Sequence, residues 1–317
     1  MKIKSISYSY TENTPVYNFH CTPDENYFAN GLLVHNCYKS NTGKGINMSF
    51  ETFKKLIDVL PKTLTQVALG ADYDLTSNPD IWKMMEYARS QEIVPNITLG
   101  YCSDETADNL AKYCGACAVS RYEDKDACYD SIQRLTDRGM TQINMHYMIA
   151  EETYDRALET IEDIANDPRL AKLNAIVFLS LKQKGRGVGY KPLSQDKFSN
   201  LVKKAQEKGI NLGFDSCSSL KALRALGSKI LPFVAPCESS LESSYINVKG
   251  QYSPCSFCEG SVKDWKDGGL DVLECKDSQD FIDKIWNNPR TEKFRAMLLM
   301  TADCNEHNCR TCPLFNV

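Results

Sequence analysis

Three adjacent residues near the start of the chain, His35, Asn36 and Cys37, have side chains suited to cleaving the backbone. An asparagine side-chain amide can attack its own peptide carbonyl and leave a succinimide. A preceding histidine can assist the proton transfers, and a following cysteine offers a thiol as acyl acceptor. The same three residues also occur by chance where an edge strand ends in a turn. The tripeptide alone therefore leaves both interpretations open.

Cysteine is unusually frequent in this chain, with 14 among 317 residues. A reducing cytosol keeps disulfides rare, so this number of thiols indicates metal or redox chemistry rather than cross-links. Seven cysteines lie between residues 237 and 317. One of them, Cys275, has no paired neighbour and is interpreted as packing. The candidate metal ligands of this segment are Cys237, Cys255, Cys258, Cys304, Cys309 and Cys312.

The spacing of these cysteines fits more than one metal. The Cys-x2-Cys pairs at Cys255/Cys258 and Cys309/Cys312 would together provide the four thiolates of a structural zinc site. An iron–sulfur cluster uses the same ligand type. A further pair, Cys114-x2-Cys117, enters an apolar run with no second pair nearby, which predicts core packing.

The middle of the chain alternates short apolar or β-branched runs with amphipathic helical patterns. Such alternation predicts an α/β fold with a parallel sheet, either doubly wound or curved into a barrel. In both folds the active site gathers at the carboxyl ends of the strands. The predicted strands are TQVALG, PNITLGYC, ACAVSRY, TQINMHYMIA, NAIVFLSL and NLGFDSC. The alternation fails after about residue 225, which predicts a domain boundary near Leu226.

Composition and charge limit the partners. The net charge of -4 lacks the basic excess typical of nucleic-acid binding, so nucleic acid is disfavoured as a partner. No run of about 18 apolar residues is present. The start, MKIKSISYSYTENTPVYNF, alternates polar and apolar residues where a signal peptide has an apolar block. We therefore expect a globular, cytoplasmic protein with no membrane partner.

The first 36 residues resemble the carboxy-terminal part of an intein of the Hint fold. The similarity lies in VYNFHCTPDENYFANGLLVHNC, where a Val-Tyr-Asn-Phe strand precedes Asn-Tyr-Phe-Ala-Asn-Gly and a terminal His-Asn before Cys. Glu25 stands where such inteins often carry a histidine. The resemblance implies a small β-rich fragment, the carboxy-terminal half of a split intein, with splicing at His35, Asn36 and Cys37. It also implies a partner chain with the amino-terminal intein half and its extein.

Beyond that junction, CYKSNTGKG followed by βα units resembles the radical S-adenosylmethionine family. In that family a Cys-x3-Cys-x2-Cys loop follows the first barrel strand and holds a [4Fe-4S] cluster, whose open iron is chelated by S-adenosylmethionine. The resemblance implies a partial (β/α)6 barrel of the TIM type that lacks its first strand. Cys37 would be the third loop cysteine, because no cysteine lies between Tyr38 and Tyr101. The other two would come from upstream of this chain.

The same resemblance implies cofactor-binding roles at several strand ends. The implied residues are Gly70, Asp72, Asn144, Ser180 and Lys182. The first two occupy the place of a Gly-Gly-Glu-like turn that meets the methionyl amino group. Asn144 shares a strand face with His146 and would reach ribose or substrate, and the last two precede a basic, glycine-rich loop. A turn glycine, a core histidine and a solvated loop would explain these positions without a cofactor.

The tail resembles the SPASM or shorter twitch extension of peptide-modifying radical enzymes. Cys237, twelve residues, Gly250, four residues and Cys255 match the opening of that extension, where a hairpin carries two ligands of an auxiliary iron–sulfur cluster. The resemblance implies one auxiliary [4Fe-4S] cluster, since the full seven-cysteine spacing is absent. The terminal cysteines would supply its other ligands.

These resemblances predict three domains: an intein fragment at 1–36, a radical S-adenosylmethionine partial barrel at 37–226, and an auxiliary-cluster domain at 227–317. The predicted function is reductive cleavage of S-adenosylmethionine to a 5'-deoxyadenosyl radical after ligation to the partner chain. A reductant protein would deliver the electron, and a peptide or protein would be the substrate. The alternatives are a zinc-binding α/β scaffold, in which Cys37 has no catalytic role, and a radical enzyme that acts on nucleoside or RNA.

Overall fold

The computed structural model describes residues 46–70, 75–261, 263–302 and 309–315, together with the backbone of four strands nearer the start of the chain. Those strands form two antiparallel pairs, β1 with β2 and β3 with β4. Their bounds are β1 Ile6–Thr11, β2 Thr14–Phe19, β3 Asn26–Ala29 and β4 Leu32–His35. These strands lie in the segment where a β-rich fragment was expected. Glu25, Asn36 and Cys37 lie outside the described residues.

A six-stranded parallel sheet forms the centre of the described fold, and each strand lies next to its predecessor in the chain. The strands are β5 Gln66–Leu69, β6 Val94–Leu99, β7 Ala116–Ser120, β8 Ile143–Ile149, β9 Ala175–Ser180 and β10 Leu212–Phe214. All six apolar runs therefore form strands, and the predicted α/β fold with a parallel sheet is confirmed. The strands follow one another across the sheet in chain order, without a reversal.

The six strands of the sheet correspond to the six predicted runs. The last of them, β10, has three residues and pairs with β9 at one edge of the sheet. The residues that follow β10 reach the cysteine-rich part of the chain.

Helices connect the strands, and the main core lies between them and one face of the sheet. Side-chain caps fix several helix starts: Ser49 accepts the N–H of Thr52 at 3.2 Å, and Ser103 accepts that of Thr106 at 3.1 Å. The helices are α1 Phe50–Val59, α2 Ile81–Ser90, α3 Asp104–Tyr113, α4 Lys125–Asp137, α5 Tyr154–Asn166, α6 Gln195–Glu207 and α7 Ser219–Leu226. Within the described part of the chain, none of the helices combines the length and apolar character needed to cross a membrane.

Strand β8 shows how the two faces of the sheet differ. Met145 and Tyr147 are buried in the main core beneath the helices. Asn144, His146 and Met148 lie on the opposite face, where Met148 is 41 % exposed. This alternation confirms that Asn144 and His146 share a face. The face away from the helices is therefore partly polar and accessible.

Four cysteines lie in the main core: Cys102, Cys114, Cys117 and Cys128, each at most 7 % exposed. Burial raises the pKa of Cys102 to about 11 and that of Cys128 to about 12, so both thiols stay protonated at neutral pH. The core packing predicted for Cys114-x2-Cys117 is confirmed.

The carboxy-terminal unit follows α7. It contains an antiparallel sheet in the order β11-β12-β13 and two helices joined by a π-helical turn, Ile282–Trp286. The bounds are β11 Tyr245–Ile246, β12 Gln251–Ser253, β13 Leu270–Asp271, α8 Ser278–Phe281 and α9 Pro289–Met300. Gly250 stands before β12 with φ 78°, and a Cβ there would come within 2.6 Å of Leu273 Cγ. The predicted hairpin therefore needs glycine at this position.

Helix α1 belongs to two hydrophobic cores. Phe53 and Ile57 pack in a small core with residues of α2. Leu56 and Val59 instead belong to the core of the carboxy-terminal unit, around Trp265. Helix α1 therefore holds the sheet and the cysteine-rich unit together.

Candidate metal centre and the carboxyl edge of the sheet

The carboxyl ends of β9 and β10 carry a buried polar network. Lys182 Nζ lies 2.6 Å from Asp215 Oδ2, and the two side chains are only 8 % and 19 % exposed. Asp215 Oδ1 accepts the N–H of Ser218 at 2.9 Å, and Ser218 Oγ lies 2.8 Å from Ser180 Oγ. The two strands are parallel neighbours, so their ends meet at one edge of the sheet. The structure thus brings together Ser180 and Lys182, two of the predicted cofactor residues.

The electrostatics of this network keep Lys182 charged. Burial lowers the pKa of Lys182, but the Asp215 carboxylate and the Cys217 thiol outweigh that effect, and the pKa is raised. Ser180 is 3 % exposed, and its hydroxyl is taken up by the contact with Ser218. Ser180 therefore supports the network, whereas the Lys182 ammonium supplies the charge at this edge.

Gly70 and Asp72 were expected to form a cofactor-binding turn after the first strand of this sheet. Gly70 directly follows β5 and lies at the same carboxyl edge. A Cβ at Gly70 would meet nothing within 4 Å, so packing does not require glycine there. Asp72 lies outside the described residues.

Asn144 lies at the other end of the sheet. It is level with Ala175 at the start of β9. At about 3.3 Å per residue, this position is roughly 16 Å from the carboxyl edge. Its Oδ1 accepts a hydrogen bond from Asn174 at 2.9 Å. The structure therefore does not bring Asn144 to the predicted cofactor residues after β9. His146 lies nearer the middle of β8, and burial lowers its pKa against the opposing charge of Asp215.

The cysteines on either side of the predicted hairpin meet in space. Cys255 and Cys258 have their sulfurs 3.6 Å apart, in a turn where the N–H of Cys258 donates to the carbonyl of Cys255 at 3.0 Å. Cys237 Sγ lies 3.6 Å from Ser239 Oγ. The Ser239 side chain also hydrogen-bonds to Cys255. Cys237 and Cys255, which precede and follow β11–β12, therefore share a neighbour.

The last described segment, residues 309–315, docks at the same place. Arg310 Nε donates to the carbonyl of Cys237 at 2.9 Å. The Cys312 thiol interacts electrostatically with Cys255 and Cys237. We refer to Cys237, Cys255, Cys258 and Cys312 as the thiol cluster. It unites four of the six cysteines that were predicted to bind metal in this unit.

Hydrogen bonds within the thiol cluster favour a charged sulfur at one position. The Cys258 thiol and the backbone N–H groups of Cys258 and Phe257 lower the pKa of Cys255, while the same contact raises that of Cys258. Two backbone N–H groups of the last segment also donate to Cys312, although burial keeps its pKa raised. Hydrogen bonds to sulfur are among the features that tune iron–sulfur clusters. The donor set therefore fits such a cluster in ligand type.

The described side chains of the thiol cluster suit a metal in ligand type, but they are not arranged around a common metal position. Among the residues that the structure describes, no three Cys, His, Asp or Glu side chains are grouped so that they could hold a metal ion. Cys309 is 4 % exposed, and burial raises its pKa. Cys304 lies outside the described ranges. The thiol cluster is thus a gathering of potential ligands, with Cys309 on the segment that docks beside it.

Cys217 is a further thiol at this place and was not among the predicted ligands. It hydrogen-bonds to Lys182 and interacts electrostatically with Cys312 and Cys237. Burial raises its pKa to about 12. Its position at the carboxyl end of the predicted strand NLGFDSC was the available signal, because functional residues concentrate at the carboxyl ends of strands. Cys275, by contrast, is 3 % exposed within the core of the carboxy-terminal unit, so its predicted packing role is confirmed.

The fold and the site together define a parallel α/β domain followed by a cysteine-rich domain. Residues 237–313 match the family model of SPASM, an iron–sulfur cluster-binding domain. The SPASM resemblance of the tail is therefore confirmed. No curated protein matches the chain.

A solved structure, that of histidine-tagged anSMEcpe with bound AdoMet, is similar in fold. The TM-score is 0.53, with 11 % sequence identity over 82 % of this chain and 75 % of that chain. At such an identity the likeness concerns the fold alone. The SPASM match agrees with the expected auxiliary iron–sulfur cluster, and the AdoMet belongs to the solved structure whose fold this chain shares. Neither bears on the intein resemblance of residues 1–36.

Proposed function

We propose that residues 37–317 work in a radical S-adenosylmethionine enzyme that modifies a peptide or protein, after residues 1–36 are removed by splicing. One observation carries this proposal: the thiol cluster of the SPASM domain lies against the carboxyl edge of a sequentially ordered parallel sheet. Lys182 and Cys217 connect the two, since both follow strands of that sheet and Cys217 interacts with the thiol cluster. The fold likeness to anSMEcpe, which was solved with bound AdoMet, supports the choice of S-adenosylmethionine as the cofactor.

The residues proposed to hold each group follow from their places. Cys37 would supply one thiolate of the catalytic cluster, with two more from the spliced partner. Gly70 and Asp72 would receive the methionyl end of S-adenosylmethionine at the carboxyl edge. The thiol cluster would hold the auxiliary cluster. When bound, the catalytic [4Fe-4S] cluster supplies the electron that cleaves S-adenosylmethionine.

The protein's own residues give this edge its polarity. The Lys182 ammonium and the Asp215 carboxylate form a fixed, buried ion pair beside the proposed cofactor site. His146 and the exposed Met148 lie on the accessible face of the sheet, where they would contact the substrate. Because burial lowers the pKa of His146, this imidazole is neutral at pH 7 and can donate or accept one hydrogen bond.

The function is tested by a substitution that separates splicing from catalysis. A serine hydroxyl can replace the thiol as acyl acceptor, but it is a poor iron ligand, so Cys37→Ser is expected to splice and then fail. Each chain is combined with a partner that carries an amino-terminal intein half and an extein ending in Cys-x3-Cys-x2. After anaerobic reconstitution, 5'-deoxyadenosine is measured. The spliced Cys37 product should form it and the spliced serine product should not. Equal yields would contradict the role of Cys37, and no product from either would contradict the enzyme.

A structural zinc site is the second candidate function for the thiol cluster. The Cys255 and Cys258 sulfurs are 3.6 Å apart. Two thiolates on one tetrahedral zinc are about 3.8 Å apart, given Zn–S bonds of about 2.3 Å. Metal analysis after strictly anaerobic purification decides between the two. About four irons per chain, lost in Cys255→Ala, are expected for the auxiliary cluster. One zinc per chain and no iron would favour the scaffold.

A further inference from the structure

A lysine in the loop after β9 hydrogen-bonds to the turn that carries Cys255 and Cys258. We call residues 255–259 the Cys-x2-Cys turn. Lys184 Nζ donates to the carbonyl oxygens of Phe257 at 3.1 Å and Glu259 at 2.5 Å, with that of Ser256 at 3.5 Å. Three carbonyls of one turn therefore face a single ammonium group. Neither the SPASM match nor the fold likeness assigns a role to this contact.

A second lysine holds the same turn from the side. Lys182 Nζ lies 5.4 Å from the ring centroid of Phe257, a cation–π contact. The Phe257 ring also packs edge-on against Phe315 at 6.1 Å. Since Lys182 is itself paired with Asp215, the carboxyl ends of both β9 and β10 are connected to the Cys-x2-Cys turn.

Backbone hydrogen bonds fix the loop around Lys184, so its side chain is held toward the Cys-x2-Cys turn. The N–H of Lys184 donates to the carbonyl of Lys182 at 2.7 Å, and the N–H of Gly187 donates to that of Lys184 at 3.0 Å. A Cβ at Gly187 would come within 2.5 Å of the Lys182 carbonyl oxygen, so the loop closes tightly. Charge-assisted hydrogen bonds from such an anchored donor are stronger than neutral ones.

We infer that Lys184 is a positioning residue of the metal centre: it fixes the Cys-x2-Cys turn on the carboxyl edge of the sheet and keeps a positive charge against that turn, which carries two of the proposed ligands. The inference rests on the proposed auxiliary cluster, but it does not depend on S-adenosylmethionine cleavage or splicing. A positive charge beside a cluster stabilises the reduced state, which gains a negative charge. Lys184 therefore acts on both the mobility of the turn and the reduction potential of the cluster.

The test uses the full chain before splicing, with Lys184→Met, the conservative Lys184→Arg and a matched surface control, Lys203→Met. Lys203 is 74 % exposed on α6, and its charged partner Glu207 lies 3.9 Å away. Hydrogen exchange of the Cys-x2-Cys turn is measured on metal-free protein. Iron content and the reduced fraction of the cluster, at the wild-type midpoint potential, are measured on anaerobically reconstituted protein.

In Lys184→Met we expect the amides of the turn to exchange at least tenfold faster. We also expect the ratio of reduced to oxidised cluster to fall roughly tenfold, the order of effect of one unit charge across a partly buried site. In both the exchange rate and the ratio of reduced to oxidised cluster, Lys184→Arg should stay within about twofold of wild type, and Lys203→Met should match wild type. If Lys184→Met loses iron, Lys184→Gln replaces it in the potential measurement.

The possible failures are distinguishable. Wild-type protein without iron would refute the auxiliary cluster. The exchange measurement on metal-free protein would still show whether Lys184 fixes the Cys-x2-Cys turn. Wild-type exchange in Lys184→Met would overturn the inference. An unchanged reduced fraction would overturn it as well, because the charge would then have no effect on the cluster.

Discussion

Asp215 and Lys182 form an ion pair of 2.6 Å that ties the end of β10 to the loop after β9. The pair is almost inaccessible to water, and Asp215 also accepts the backbone N–H of Ser218. Its removal therefore differs from the loss of a surface salt bridge. A buried cation that loses its partner keeps its desolvation penalty without compensation.

Asp215→Ala should accordingly lower the free energy of unfolding by about 3–5 kcal/mol. A matched control is Asp137→Ala. Asp137 pairs with Lys172 at 2.9 Å, but the side chains are 55 % and 65 % exposed, so the expected loss is below about 1 kcal/mol. Denaturant unfolding, followed by tryptophan fluorescence, measures both. Equal losses would show that the Lys182 charge finds another partner or reaches solvent.

Cys217 should prove to be a neighbour of the metal centre rather than one of its ligands. It lies outside the residues that match SPASM, and its thiol already hydrogen-bonds to Lys182. We expect Cys217→Ala to retain about four irons per chain after anaerobic reconstitution, whereas Cys255→Ala loses them. A Cys217→Ala protein that binds no iron would instead place this thiol in the ligand set.

Splicing should depend on Asn36. The chain has a mass of 35.7 kDa over 317 residues, so the departure of residues 1–36 corresponds to about 4 kDa. Mass spectrometry after mixing with an amino-terminal intein partner should show this fragment released, and residues 37–317 joined to the partner's extein, in the wild type and not in Asn36→Ala, because alanine has no amide to cyclise. An intact chain under every pairing would mean that the segment does not splice.

The pH dependence of stability should carry a contribution from His146. Its pKa in the folded protein is lowered from 6.5 by burial, so below pH 6.5 the unfolded state binds a proton that the folded state excludes. Stability therefore falls as the pH falls from 6.5 toward the folded-state pKa, with a slope of at most about 1.4 kcal/mol per pH unit.

His146→Gln removes that proton and should show a shallower loss of stability over the same pH range. The measurement is the denaturation midpoint at several pH values between 7 and 5, with the wild type beside the variant. Parallel curves for the two proteins would show that His146 takes up a proton in the folded state as readily as in the unfolded state.

The sequence predicts the local elements of this structure, whereas it does not predict contacts between residues that are far apart in the chain. Each strand is a local apolar run, so all six strands of the parallel sheet could be recognised. The pattern also gave the correct face for Asn144, but not its height in the sheet, because height depends on the register with β9. The contact between Lys184 and the carbonyl of Phe257 spans 73 residues, and no local pattern predicts it.

The metal centre shows the same division. The spacing of Cys237, Gly250 and Cys255 predicted the hairpin correctly, since a glycine with positive φ before β12 is a local requirement. The arrival of Cys217 beside this hairpin could not be read from spacing, because it follows from how α7 and the subsequent segment return the chain to the end of β10.

The double role of α1 has a consequence for how this protein can be cut or recombined. Leu56 and Val59 complete the core of the SPASM-type unit, and Ser278 Oγ donates to the carbonyl of Leu60 at 2.9 Å. A chain truncated at Leu226 would expose an apolar stripe of α1 to water, and such exposed apolar surface promotes aggregation. The cysteine-rich unit therefore cannot be exchanged for another without a compatible α1. A SPASM domain taken from another protein would need a matching α1, which lies roughly two hundred residues earlier in the chain.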